Sequence, residues 1–141
     1  MGETAPVDGF SPKSARVMVV DDERCIRTTI HELLASEGIN SIKAAGSDEC
    51  LRFLREGFQG VILMDVMMPV RNGWDTIREI KKEGLMEGNI ISMLTAMDVS
   101  DQRMEGLQEF VIDYITKPFE PTELIAAVHR YLALLDGPTG E

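Results

Sequence analysis

Short runs of consecutive apolar residues alternate along this chain with stretches whose apolar positions recur every three or four residues. Val17-Met18-Val19-Val20, Val61-Ile62-Leu63-Met64 and Ile90-Ile91-Ser92-Met93-Leu94 are almost uninterrupted. Such runs mark strands covered on both faces, as in a parallel sheet. Strands are predicted at about 16–21, 40–45, 60–65, 90–94 and 111–115. Between them the period lengthens to that of a helix. The first helix, about 23–37, gathers Ile26, Ile30, Leu33 and Leu34 on one face and stops at Gly38. The second, about 48–56, takes Ser47 as its N-cap. Met68-Pro69 and Asn72-Gly73 mark a loop before a third helix at 74–83. A fourth is expected near 99–108. The last, 121–135, opens on Pro121, whose missing N–H is harmless in a first turn. It carries a stripe of Leu124, Val128, Leu132 and Leu135.

Five strand–helix alternations predict an α/β fold: a parallel sheet with helices on both faces and right-handed crossovers. One domain is expected at 15–135. Residues 1–14 and 136–141, rich in Gly, Pro, Ser and Thr, read as flexible tails.

Composition narrows the classes. No apolar stretch approaches a membrane span, and the first residues lack a charged-then-apolar signal pattern, so a cytoplasmic protein is expected. The formal net charge of −10 argues against a nucleic-acid-binding surface on this chain. Cys25 and Cys50 have no metal-type spacing and read as reduced thiols on helices. His31 and His129 read as surface histidines. Trp74 reads as packing near the loop that precedes the third helix.

The chemistry lies at the strand ends. Asp21 and Asp22 close the first apolar run, and Asp65 closes the third. In an open parallel sheet the carboxyl ends of strands converge on one crevice. At an effective dielectric of about 20, two unit charges 4 Å apart repel by roughly 4 kcal/mol. A hard cation relieves that repulsion, and an all-oxygen ligand set suits Mg²⁺. The turn Asp21-Asp22-Glu23-Arg24 has no glycine-rich phosphate cradle and no Walker lysine, which weakens a flavin or nucleotide reading. The fourth strand ends in Thr95, a hydroxyl. The fifth runs into Lys117-Pro118, a cation before a rigid residue. A nucleophile, a metal cradle, a hydroxyl and an ammonium at the ends of different strands are equipment for phosphoryl transfer to a carboxylate.

These stretches resemble the receiver domain of two-component response regulators. The matching segments are Val19-Val20-Asp21-Asp22-Glu23, Leu63-Met64-Asp65-Val66-Met67-Met68-Pro69, Asn72-Gly73, Leu94-Thr95-Ala96 and Asp113-Tyr114-Ile115-Thr116-Lys117-Pro118-Phe119. The likeness covers roughly residues 15 to 135. It implies a flavodoxin-like, CheY-like (βα)5 fold with strand order 2-1-3-4-5, as in the chemotaxis members of this fold. It implies Asp65 as phosphoacceptor. Asp21 and Asp22 would bind Mg²⁺ beside Asp65, with the backbone carbonyl of Met67 as a further ligand. Thr95 and Lys117 would contact phosphoryl oxygens, with a cis Lys117-Pro118 peptide aiming the lysine. Tyr114 would be the switch residue, turning inward when Thr95 moves and so altering the face made by the helix near 99–108, the fifth strand and the last helix. A sensor histidine kinase or phosphotransfer protein would supply the phosphoryl group. An output protein or domain, or a second copy, would meet the switch face. Such a chain is a one-cycle switch, not an enzyme with turnover.

Two departures stand out. Met67 and Met97 lie two places after Asp65 and Thr95, where family side chains border the path of the hydrolytic water; thioethers there predict slow self-dephosphorylation. Phe110-Val111-Ile112 replaces the usual Gly-Ala, so either Phe110 is strained or the preceding helix ends differently, with a more apolar output face. Other readings stay open at this point: a pseudo-receiver that only binds partners, a receiver cut from a longer regulator or hybrid kinase, and a small Mg²⁺-dependent phosphatase. The last lacks the second acid of an Asp-x-Asp pair, since Asp65-Val66-Met67 ends in a thioether.

Overall fold

A computed structural model describes residues 11–96 and 108–137. The elements in order are β1 (Val17–Val20), α1 (Arg24–Ser36), β2 (Ser41–Ala44), α2 (Ser47–Arg55), β3 (Val61–Asp65), α3 (Gly73–Lys82) and β4 (Ile90–Thr95). A 3-10 turn (Gln108–Phe110), β5 (Val111–Thr116) and α4 (Pro121–Asp136) follow. The helix expected near 99–108, Met97 and most of both tails lie outside the described residues. No described helix is long and apolar enough to cross a membrane.

All five strands are parallel, in the order β2-β1-β3-β4-β5. The uninterrupted apolar runs are explained by two cores, one on each face. Met18, Val20, Ile62, Met64, Ile91 and Met93 point to one side and pack with Cys50, Leu51, Trp74, Ile77 and Ile80 from α2 and α3. Val17, Val19, Val61, Leu63 and Leu94 point to the other and pack with Ile30, Leu34, Leu124 and Val128 from α1 and α4. The alternation is the strand period of two. Each fully buried aliphatic side chain contributes roughly 1.5–3 kcal/mol of transfer free energy. β1 and β3 contribute side chains to both cores, and this packing anchors the ends of the two strands.

Two local expectations, for Ser47 and His31, need correction, and one arm of the Phe110 alternative is excluded. Ser47 is the first residue of α2, not its cap; Gly46 holds the cap position without a side-chain bond. The N–H of Ala45 is instead taken by the Glu49 carboxylate at 2.7 Å. A reaching Glu satisfies an orphan donor as a hydroxyl would, and here it acts one position earlier. The Ser47 hydroxyl is buried and finds no partner among the described residues. Phe110 is not in the left-handed region; among the described residues the only non-glycine with positive φ is Val70, at 69°. The chain enters β5 through the 3-10 turn, and Phe110 packs against the core, with the Lys81 ammonium 5.2 Å from its ring centre. Ile112, 43% exposed, is the residue that adds apolar surface there. His31 is half-buried rather than on the surface, its Nδ1 2.6 Å from the buried Ser41 hydroxyl.

Candidate metal and phosphoryl site

The carboxyl ends of β1 and β3 bring Asp21, Asp22 and Asp65 together. One carboxylate oxygen from each lies within 4.8 Å of the others. Asp21 and Asp65 are buried, and Asp22 is exposed. Asp21 is tied down locally: its Oδ1 accepts the Glu23 N–H at 2.9 Å, an Asx-type turn, and its carbonyl accepts Arg27 Nη1 at 2.9 Å. Glu23 takes part through its main-chain N–H, a contact any residue there could make, and nothing in the sequence marks Arg27.

Lys117 reaches the pair from the far side. Its Nζ donates to Asp21 Oδ2 at 2.7 Å and to Asp65 Oδ1 at 3.3 Å. The lysine is placed by main chain: its N–H donates to the Thr95 carbonyl at 2.8 Å, and Thr95 pairs with Thr116 in the ladder. The Lys117-Pro118 peptide is cis. Thr95 is fully buried at the end of β4, one residue beyond Leu94, the ladder partner of Asp65. Met67 donates its N–H to Asp65 Oδ1 at 3.3 Å, and its side chain is 62% exposed at the rim.

The segment after β3 returns closely over Asp65. A Cβ on Gly73 would stand 2.6 Å from the Asp65 carbonyl oxygen and 2.9 Å from Met93 Cε. Only glycine allows that approach. Asn72 caps α3, its Oδ1 accepting the Asp75 N–H at 2.8 Å. Val70, fully exposed at positive φ, is the strained point of this loop.

Tyr114 stands apart from the carboxylates. It is half-buried on the α2/α3 side, its ring 6.5 Å from that of the buried Trp74 and tilted by 49°.

The charges are unbalanced. Burial, then the neighbouring Asp21 charge, push the Asp65 carboxyl up to about 7, and Lys117 offsets them only in part. Burial works against the Lys117 ammonium, but the hydrogen bond and charge of Asp21, with those of Asp65, hold its pKa above the ordinary value. Three clustered oxygen donors served by one nearby ammonium are a donor set that could hold a hard divalent cation.

A parallel sheet in this order with acids at the ends of β1 and β3 defines a class, and the comparisons agree. Residues 17–129 match the family described as the response regulator receiver domain, and the chain belongs to that family. Receiver domains typically bind Mg²⁺, act with histidine kinases and output domains, and are not in general enzymes with turnover. The chain is 35% identical over 113 residues to the phosphate regulon transcriptional regulatory protein PhoB of Escherichia coli, covering 80% of this chain and 49% of that protein. It is 37% identical to the transcriptional regulatory protein DltR of Streptococcus agalactiae, covering 80% of this chain and 50% of that protein. The chain thus spans about half the length of these relatives. Among solved structures, a CheY-like receiver domain protein of Methanospirillum hungatei is similar with a TM-score of 0.83 at 41% identity, covering 88% of this chain and 98% of that one. Vibrio cholerae chemotaxis protein CheY4 superposes with a TM-score of 0.75 at 29% identity, covering 84% and 98%.

Proposed function

We propose that this chain is a phosphorylatable signalling switch in which Asp65 is the phosphoacceptor. The observation that carries this reading is the buried, proton-hungry Asp65 carboxylate set between Asp21, Asp22 and Lys117. A carboxylate oxygen of Asp65 attacks the phosphorus of a phosphohistidine on a sensor kinase or phosphotransfer protein. The new O–P bond replaces the N–P bond, and the departing imidazole takes up a proton. Asp21, Asp22, Asp65 and the Met67 carbonyl would hold Mg²⁺. When bound, the ion neutralises the charge gathered on the phosphoryl oxygens. Lys117 pairs with one phosphoryl oxygen and leaves the two acids to do so. Thr95 supplies a hydroxyl to another. The resulting shift of Thr95 biases the Tyr114 ring between two positions, and that shift is read by a partner on the β5–α4 face.

The output lies outside this chain in this reading. With a net charge of −10 the chain makes no nucleic-acid contact of its own. It works in the cytoplasm, as a stand-alone regulator or as the receiver of a longer one, and self-association through the β5–α4 face is one form the output can take. The Met67 thioether at the rim neither orients a water nor accepts its proton, so the acyl phosphate decays slowly. Met67→Asn, paired with Met97→Glu, should raise the decay rate several-fold; an unchanged rate removes this part of the proposal.

Intact mass after incubation with Mg²⁺ and acetyl phosphate tests the function directly. One phosphoryl group is expected on the parent, only with Mg²⁺, and none on Asp65→Asn. A parent that binds Mg²⁺ yet gains no mass from acetyl phosphate or from any kinase points to a pseudo-receiver.

A further inference from the structure

A second polar cluster lies where α4 packs on β4 and β5, remote from the three acids in sequence and joined to β5 immediately before Tyr114. Tyr131, on α4 and 2% exposed, donates its hydroxyl proton to Asp113 Oδ2 at 2.6 Å. The Tyr131 hydroxyl oxygen also lies 3.0 Å from the hydroxyl of Ser92, which is fully buried within β4. A tyrosine hydroxyl has one proton, so with that proton on Asp113 it accepts from Ser92. Ser92 Oγ also lies 3.4 Å from the Asp113 carbonyl. The other carboxylate oxygen, Oδ1, accepts the N–H of Tyr114 at 2.9 Å. Arg130 stands 3.6 Å from Oδ2. One carboxylate therefore grips the main chain at Tyr114 with one oxygen and α4 with the other.

The backbone is arranged for this grip. Ile91 pairs with Val111, but Ser92 pairs with Asp113, so Ile112 is an extra residue in β5. A bulge re-aims the side chains beside it. Here it sets Asp113 opposite Ser92, in reach of Tyr131. Beyond their ladder, the strand that carries Thr95 and the strand that carries Tyr114 are thus joined by the Lys117 N–H on the Thr95 carbonyl and by the Ser92–Tyr131–Asp113 chain.

We infer that Tyr131 is a positioning residue of the switch: through Asp113 and Ser92 it clamps the main chain at Tyr114 in the resting arrangement, and the phosphorylated arrangement forms against that clamp. This rests on the reading of Asp65 and Tyr114 above. The Tyr114 ring packs by Trp74 on one face of the sheet while the clamp holds its amide from α4 on the other. A ring that must turn inward needs the strand beneath it to give, and the clamp sets how readily it does. A ligand shifts such an equilibrium only by its differential affinity, so a weaker clamp leaves less for the phosphoryl group to overcome.

Tyr131→Phe keeps the ring and removes the hydroxyl. Amide hydrogen exchange, read residue by residue by NMR, should speed up about tenfold at Tyr114 through local opening and stay unchanged in β1 and β3. Affinity for beryllofluoride with Mg²⁺, a phosphoryl mimic, should rise about fivefold, a coupling of ordinary allosteric size. Ser92→Ala, which leaves the Tyr131–Asp113 bond in place, should show the same changes at smaller size. Faster exchange spread equally over all strands would reduce Tyr131 to a packing residue and overturn the inference; so would unchanged beryllofluoride affinity. Should Tyr131→Phe not fold, Asp113→Asn is read in the same two ways. If the parent itself takes no beryllofluoride, the phosphoacceptor reading fails and takes the switch role with it, whereas the exchange contrast at Tyr114 still decides whether the clamp holds that strand.

Discussion

Asp65 and Asp113 are both partly or wholly withdrawn from water, both at sheet positions, and both hydrogen-bonded, yet their situations are opposite. Asp113 has a hydroxyl donor on one oxygen, an amide on the other and a guanidinium nearby. Asp65 has one long bond from Lys117 and one from the Met67 amide, and it faces a second buried carboxylate. The first is a satisfied group that holds structure. The second is a frustrated group that a cation and a phosphoryl group would relieve. The difference teaches where to look for function: not at acidity as such, but at the carboxylate whose surroundings leave work undone.

The contrast can be broken most severely at Lys117. Lys117→Ala leaves Asp21 and Asp65 facing each other without their ammonium. Because the lysine is partly exposed, the loss should fall below that of a fully buried pair, about 1–3 kcal/mol in metal-free protein, read by denaturant unfolding. Mg²⁺ should recover part of it. An equal loss with and without Mg²⁺ would mean that the cation does not enter this cluster.

Removing frustration should do the reverse. With a folded-state pKa of about 7 against an ordinary 3.8, Asp65 is raised, so its contribution to stability is fully present below pH 4 and is lost as pH rises through 7. Asp65→Asn should therefore stabilise the metal-free protein at pH 8 by roughly 1–3 kcal/mol, allowing for solvent screening, and by almost nothing at pH 4. A melting temperature that falls at pH 8 would contradict the frustration. Asp22→Asn, an exposed member, should leave stability within about 0.5 kcal/mol and weaken Mg²⁺ binding roughly tenfold, read by calorimetry. An unchanged affinity would put the ion elsewhere.

The same two acids mark the limits of reading from sequence. β1 and β3 were legible because strands covered on both faces are apolar throughout, and the first polar residue after each run is then conspicuous. Asp21, Asp22 and Asp65 followed from that alone. Thr95 and Lys117 were visible as strand-end residues, but the pairing of Lys117 with Asp21 as its nearer partner came only from geometry. The Asp113 clamp was invisible. It joins residues 18 and 39 positions apart on three elements, and a serine within β4 and a tyrosine on an amphipathic helix look like any others. It also depends on the extra residue Ile112, and strand register is not written in local pattern. Ser47 failed as a cap because the helix begins one residue earlier than its hydroxyl suggested, with Gly46 at the cap position, and residue preference alone does not fix a helix boundary to one residue.

The central claim is that Asp65 carries an unrelieved burden that a bound cation lifts. A carbon-detected NMR titration of the Asp65 carboxyl, without and with saturating Mg²⁺, measures that burden directly. The account predicts a midpoint near 7 in the metal-free protein and one well below it with Mg²⁺. A midpoint near 4 in both conditions would show an ordinary carboxylate and contradict the account.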